Sequence, residues 1–242
     1  MMMTKKILMI SRLPVQSTRQ FDLATQILDL IAEKKKTVLL FANTNFIVNC
    51  QFILKYCGDD SVILVNDGVG MDIAAKLLHG EKFADNLNGT DFTPYLMRRS
   101  ERPLRIFLLG GKPEILQKAI SYVVEKLGQA VVGSCDGYDG LKNNLDIVDQ
   151  INKAKTDIVL VAMGNPRQEQ WIFAHRESMD ASLLMGVGAL FDFWAEGKPR
   201  APELVQRLRL EWLYRLCHEP KRLLRRYTFD ILVFLHQCFK YR

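Results

Sequence analysis

Short β-rich apolar runs alternate with segments of helical spacing along most of this chain, and that alternation limits its folds more than any other feature. The runs are "KILMI", "TVLLFA", "SVILV", "LRIFLLGG", "AVVGS", "DIVLVAMG" and "ASLLMGVG". Most end in Gly or Asn. Between them, "FDLATQILDLIAEKKK" puts Leu23, Ile27 and Leu30/Ile31 on one helical face, and "PEILQKAISYVVEKLG" runs from Pro113 in a first-turn position to a stop at Gly128. "NNLDIVDQINKAK" and "RQEQWIFAHRES" have the same period. Strands alternating with helices of this length predict βαβ units, and so an α/β fold with a doubly wound, mainly parallel sheet. The length of 242 residues suits one large domain, or one with an appendage.

The pattern changes after Trp194. "GKPRAPELVQRLRLEWLYRL" places Leu204, Leu208, Trp212 and Leu216 on one stripe, with Arg207, Arg209 and Arg215 off it. A second helix is expected from Pro220, basic in its first turns and apolar afterwards. From Lys198 onward there are eleven Lys/Arg and four Asp/Glu, a net of +7; the rest of the chain has 22 and 23, a net of −1. The division expected is a core over residues 1–195 and a basic amphipathic appendage over 196–242. Such a helix pair fits an anionic membrane surface better than nucleic acid, since the charge sits on helices with an apolar end. A packed helical cap is the plainer reading. Five cysteines without a CxxC, and no signal-peptide pattern, predict a reducing, cytoplasmic setting with peripheral membrane contact.

In open parallel sheets, ligands bind beyond the carboxyl ends of the strands. The candidate residues are therefore those just past each run: Asn43, then Asp67 in "NDGVG", then Gly110, Gly111 and Lys112, then Asp136, then Asn165, Arg167, Gln168 and Glu169, then Gly188. Asp67 could deprotonate a hydroxyl, or simply hold a turn. The Gly110–Gly111 turn could offer backbone N–H groups to a phosphate, or serve only as a turn. Arg167, Gln168 and Glu169 could read a base edge or a sugar, or be an ordinary helix first turn. The four histidines have no metal-ligand spacing, no G-x-S-x-G elbow occurs, and no compact Asp-x-Asp metal clamp is present. A nicotinamide fingerprint is missing from "SRLPVQSTRQ".

Taken in order, "NDGVGMDIAAKLLHG", "NGTDF", "FLLGGKPEILQKA", "VGSCDGYDG", "VAMGNPRQEQWI", "MGVGALFDFWAEGKPRAPE" and "LEWLYRLCHEPKRLLRRY" resemble the WecG/TagA/CpsF glycosyltransferases of bacterial cell-surface polysaccharide assembly. The resemblance covers roughly residues 40 to 227. It implies a Rossmann-like fold and an inverting transfer that needs neither metal nor cofactor. The donor would be a UDP-sugar, and the acceptor a sugar on a polyprenyl diphosphate at the inner face of the membrane. It also implies Asp67 as general base, Asn43 near the sugar, the "GNPRQE" element at the donor, and tail arginines (Arg200, Arg207, Arg209 and Arg215) completing the site. Many members carry a threonine where this chain has Phe41 and an arginine where it has Asn86. Both positions would touch the donor, so a plain hexose such as glucose is expected in place of N-acetylmannosamine or its uronic acid. A non-catalytic nucleotide-binding scaffold at the membrane is the alternative of another class. The appendage stripe could be buried within one chain or in a homo-oligomer.

Overall fold

The computed structural model describes residues 6–138, 140–141 and 146–195, and in the C-terminal stretch 201–202, 205, 211–218, 220–221, 224 and 228–241. Eight strands form one sheet in the order β1-β2-β4-β3-β8-β7-β5-β6. They are β1 (Lys6–Ile10), β2 (Leu13–Ser17), β3 (Thr37–Ala42), β4 (Val62–Asn66), β5 (Arg105–Gly110), β6 (Ala130–Cys135), β7 (Ile158–Ala162) and β8 (Leu183–Gly186). All pairings are parallel except β1 with β2. This is the expected doubly wound, mainly parallel α/β sheet.

Both sheet faces are covered, which is why the central strands read as unbroken apolar runs. Alternate residues serve separate cores. Val38, Leu40 and Ala42 of β3 face one, as do Val159 and Val161 of β7. Leu39 and Phe41, with Ile158 and Leu160, face the other. The first face is covered by α2 (Thr44–Asn49), α3 (Val69–His79), α6 (Ile147–Lys153), α7 (Arg167–His175) and α10 (Phe229–Lys240). The second face is covered by α1 (Gln20–Ala32), α4 (Gly89–Arg98), α5 (Pro113–Glu125) and α8 (Leu190–Trp194). The helices that come after β3, β8, β7 and β5 therefore lie on alternating faces. Neighbouring strands whose helices part in this way leave a crevice at their carboxyl ends, the position where open α/β sheets bind ligands.

One element departs from the sequence expectation. "LPVQS" is a strand, β2, paired with β1 as a hairpin from Lys6↔Ser17 to Ile10↔Leu13. Its two-residue turn, Ser11–Arg12, has φ of +47° and +72°. Two left-handed residues make the turn whose twist suits a hairpin, but that turn usually announces itself as Asn-Gly or Asp-Gly. Here the signal is missing, and Pro14 argues against a strand.

In the C-terminal stretch, α9 spans Glu211–His218. The second tail helix does not run unbroken from Pro220: α10 starts at Phe229, after Thr228 with φ −116° and ψ −82°. α10 packs on α2 and α3, and Phe234 and Cys238 enter the first core. Leu204 and Leu208 of the expected stripe lie outside the described residues. Among the described residues, no helix is long and apolar enough to cross a membrane.

Candidate active site

β3 and β4 are neighbours, with Ala42 opposite Asn66, so their strand-end residues come together. Asn43 is the N-cap of α2. Its Oδ1 accepts from the Phe46 N–H at 3.0 Å, as an N-cap side chain should, which fixes the amide and turns Nδ2 outward. Nδ2 then donates to Asp67 Oδ2 at 3.1 Å. The Asp67 N–H is bonded to the Ala42 carbonyl at 2.7 Å, and the chain leaves through Gly68 at φ +91°, a conformation natural only to glycine. Asp67 is half-buried and held from its side chain and its backbone at once.

Asn86 closes the same corner. Its Oδ1 accepts from the Gly68 N–H at 2.7 Å, while Asn66 Nδ2 donates to the Asp85 carbonyl at 2.9 Å. The segment before α4 is thereby folded over the end of β4. Phe41, one turn of the strand below, fits against Gly89: a Cβ there would sit 3.1 Å from the Phe41 ring. The Phe92 ring lies 5.9 Å from that of Phe41.

The "GNPRQE" element sits at the end of β7, and its amide and carboxylate point inward. Gln168 and Glu169 are 3% and 1% exposed. Gln168 Oε1 accepts from the N–H of Gly164 at 3.2 Å and of Gly188 at 3.0 Å, tying the β7 and β8 loops together. Glu169 Oε1 accepts from Gln168 Nε2 at 2.8 Å and Asn165 Nδ2 at 2.5 Å, and Cys50 Sγ, at the end of α2, lies 3.6 Å from Oε2. A buried amide and carboxylate thus fasten three loops. Arg167 alone of this group is exposed.

Burial pushes the Glu169 carboxyl above its ordinary value, against the hydrogen bonds from Gln168, its own backbone N–H, Asn165 and Cys50 that favour the anion. Burial, then the charge of Glu169, likewise raises the Cys50 thiol. A carboxyl whose folded pKa is raised holds its proton longer than in the unfolded chain, so stability falls as pH rises from about 4.3 through the folded value. Glu169→Gln keeps an acceptor for Asn165 and Gln168 and removes the titration. Urea unfolding from pH 4 to 7 should show its stability gaining steadily on wild type as pH rises. Parallel profiles would mean that Glu169 does not titrate in this way.

At the far side of the edge, Gly110 and Gly111 have φ of +119° and +71°. The Gly111 N–H is bonded to the Ala162 carbonyl at 3.1 Å, and its carbonyl accepts from Gly137 at 3.0 Å. Gly111 therefore has no N–H left for a phosphate. Lys112 is exposed, and Pro113 lacks a donor. The unused donors of α5 are those of Glu114 and Ile115, which have no helical carbonyl to meet. Asp136 closes its own turn: Oδ1 accepts from the N–H of Tyr138 at 2.9 Å and of Gly140 at 3.2 Å.

Asn43, Asp67 and Asn86 thus meet at the β3–β4 end, while Asn165, Gln168, Glu169 and Gly188 meet at β7–β8. Gly110, Gly111, Lys112 and Asp136 lie around β5 and β6. Four strand intervals separate β4 from β5, about 19 Å. Arg200, Arg207 and Arg209 lie outside the described residues, and of Arg215 only the backbone, in α9, is described. Among the described residues, no group of three or more His, Cys, Asp or Glu is placed to hold a metal ion. The strand-end rule found the Asn43–Asp67 pair; it had no means of finding Cys50, a helix-end thiol that reaches Glu169 from 119 residues away.

Among solved structures, a nicotinate phosphoribosyltransferase from Vibrio cholerae is similar at 10% sequence identity and a TM-score of 0.27, over 71% of this chain and 47% of that one. The chain thus spans about half the length of that protein. The family model of the glycosyl transferase WecG/TagA/CpsF family matches residues 8–242, nearly the whole chain. With its strand-end loops arranged as described, this chain belongs to the WecG/TagA/CpsF family of glycosyl transferases, enzymes of cell-surface polysaccharide assembly.

Proposed function

We propose that this enzyme moves a hexose from a UDP-sugar to a hydroxyl of a polyprenyl-diphosphate-linked sugar, with inversion and without a metal ion. The observation that carries the reading is the Asn43–Asp67 contact at the open end of two adjacent parallel strands. Asn43 is locked by its capping bond, so it holds one Asp67 oxygen in place. Asp67 takes the proton of the acceptor hydroxyl. That oxygen attacks the anomeric carbon from the face opposite UDP, the new glycosidic bond forms as the bond to UDP breaks, and the diphosphate leaves with the electron pair.

Reach supports one placement of the donor. A base is within about 3 Å of the hydroxyl it serves, and the hydroxyl about 3–3.5 Å from the anomeric carbon, so the leaving oxygen sits within roughly 8 Å of Asp67. The Gly110–Gly111 turn, about 19 Å away across the sheet, is too distant to receive it. The diphosphate instead lies over the β8–β7 loops, near Gly188 and the exposed Arg167, where tail arginines could also reach. The uridine extends toward Gly110, Lys112 and Asp136. Gln168 and Glu169 act on the donor indirectly, by fixing the loops beneath it. The basic C-terminal helices hold the enzyme to the anionic inner face of the membrane.

Glucose is favoured as the sugar. Phe41 fills its corner against Gly89 and Phe92 and offers no polar contact to an N-acetyl group, and Asn86, whose Oδ1 is engaged by the Gly68 N–H, brings no cation to pair with a carboxylate. The test is UDP release from a panel of UDP-sugars, with a short-chain polyprenyl-diphosphate-sugar acceptor, with and without EDTA. Acceptor-dependent release from UDP-glucose, indifferent to EDTA, is expected. Preference for UDP-N-acetylmannosamine would overturn the donor assignment, and loss with EDTA would overturn the metal-free mechanism.

A further inference from the structure

Gly70 is the second residue of α3, and its backbone does not call for a glycine. It lies within the helix and has no positive φ, and alanine is ordinarily the better helix former. The space around it does call for one. A Cβ on Gly70 would sit 2.5 Å from Thr44 Cγ2, a separation that Cβ atoms do not adopt. The glycine thus lets the first turn of α2 rest directly on the first turn of α3. Thr44 follows Asn43 in the chain, and Gly70 comes three positions after Asp67. The contact therefore lies just behind the 3.1 Å hydrogen bond from Asn43 to Asp67.

Neither helix has much freedom to absorb a change there. α2 is held by Phe46 and Ile47, both fully buried, and beyond its far end Cys50 Sγ lies 3.6 Å from Glu169. α3 is held by Met71, Ala74 and Ala75 in the first core. Beneath both, Ala42 pairs with Asn66, and the Asp67 N–H is bonded to the Ala42 carbonyl. What can yield is the Thr44 side chain or the first turn of α2. That turn is tied to Asn43 through the bond from the Phe46 N–H to Oδ1. A push on Thr44 therefore reaches the amide that holds Asp67.

We propose that Gly70 and Thr44 are positioning residues for the general base: their contact sets the spacing of two helix starts at which Asn43 Nδ2 meets Asp67 Oδ2. The assignment rests on the transferase reading above and adds to it the pair that fixes the geometry of its base. A methyl group on Gly70 would have to push the two helix starts apart by about 1 Å to reach ordinary contact. A parting of that size takes a 3.1 Å hydrogen bond out of range. Misplacement of a reacting group by about 1 Å costs up to about 10²-fold in rate.

The test is rescue at a second site. Gly70→Ala is made alone and together with Thr44→Ser, which keeps the hydroxyl and removes the methyl group in the way. At saturating UDP-sugar and short-chain lipid-linked acceptor, Gly70→Ala should lower kcat by about 10- to 100-fold with UDP affinity unchanged. Adding Thr44→Ser should return kcat to within a few-fold of wild type. UDP titration of the same samples counts the folded protein, so unfolding would appear as lost UDP sites and not as a lower kcat per site. A second readout needs no turnover. The two protons of the Asn43 side-chain amide, identified by their loss in Asn43→Asp, resonate apart when one of them is bonded to a carboxylate. Their separation should shrink in Gly70→Ala and return in the double variant. Full turnover by Gly70→Ala means that Thr44 simply turns aside, and overturns the proposal. So does a double variant as slow as Gly70→Ala, or an Asn43 amide that is the same in every variant. If the amide signals follow the expected pattern while wild type turns over no UDP-sugar, the positioning contact stands and the transferase reading fails.

Discussion

Asp67→Asn should lower turnover by roughly 10²–10⁴-fold while leaving UDP affinity unchanged. The substitution is nearly isosteric. The backbone N–H at this position keeps its bond to the Ala42 carbonyl, and the new amide oxygen can still accept from Asn43 Nδ2. The variant loses only the ability to take a proton. The acceptor hydroxyl must then attack without losing its hydrogen to the enzyme, and the barrier rises by the whole of the general-base contribution. UDP touches the other end of the reacting system, on the far side of the anomeric carbon from this oxygen, so its binding should not sense the change. Single-turnover transfer and UDP titration on the same protein separate the two quantities. Turnover within a few-fold of wild type would remove Asp67 from the reaction, and a parallel collapse of UDP binding would assign it to the donor instead.

Gly110→Ala should be the most damaging single change for the fold. A Cβ at this position would sit 2.3 Å from the Ala162 carbonyl oxygen and 2.6 Å from its carbon, with backbone and not a movable side chain as the obstacle. The residue also has φ +119°, a conformation closed to alanine without strain. Strain of about 1–3 kcal/mol and overpacking of about the same size predict a loss of between about 2 and about 6 kcal/mol, a large part of the stability of an ordinary domain. The damage would not stay local. β5 and β7 pair up to Gly110 and Ala162, and Gly137 rests on Gly110 at 3.1 Å from its own missing Cβ. Urea denaturation of the variant against wild type measures the loss, and a midpoint unchanged within error would show that the β5–β7 junction can shift to admit a methyl group.

The sheet was legible because its strands are buried on both faces and written almost entirely in Val, Ile, Leu and Phe. The Asn43–Asp67 pair was legible for a related reason: residues just past the end of a parallel strand lie at the binding edge whatever the strand order. The order itself was not. β8 and β7 are inserted between β3 and β5, and nothing local to "LRIFLLGGKP" records that two later strands separate it from the loop of Asp67. That insertion is what separates Gly110–Gly111 from Asn43 and Asp67. The inward direction of Gln168 and Glu169 was not legible for a comparable reason. Polar residues in a helix first turn usually face water, and only the approach of Gly188 and Cys50 from distant parts of the chain makes an inward carboxylate tolerable.

Helix α10 has a bearing on the order in which this part of the fold is completed. It leaves the ribosome after every strand of the sheet, yet Phe234 and Cys238 fill the same core as Phe46 and Ile47 of α2 and Met71 of α3. Those two helices begin at the loops of Asn43 and Asp67. Until α10 docks, their outer surfaces lack a cover, and burying Phe234 is worth about 1.5–3 kcal/mol to the assembly. The last helix of the sheet domain thus braces, from the outer side, the two helices whose first turns follow Asn43 and Asp67.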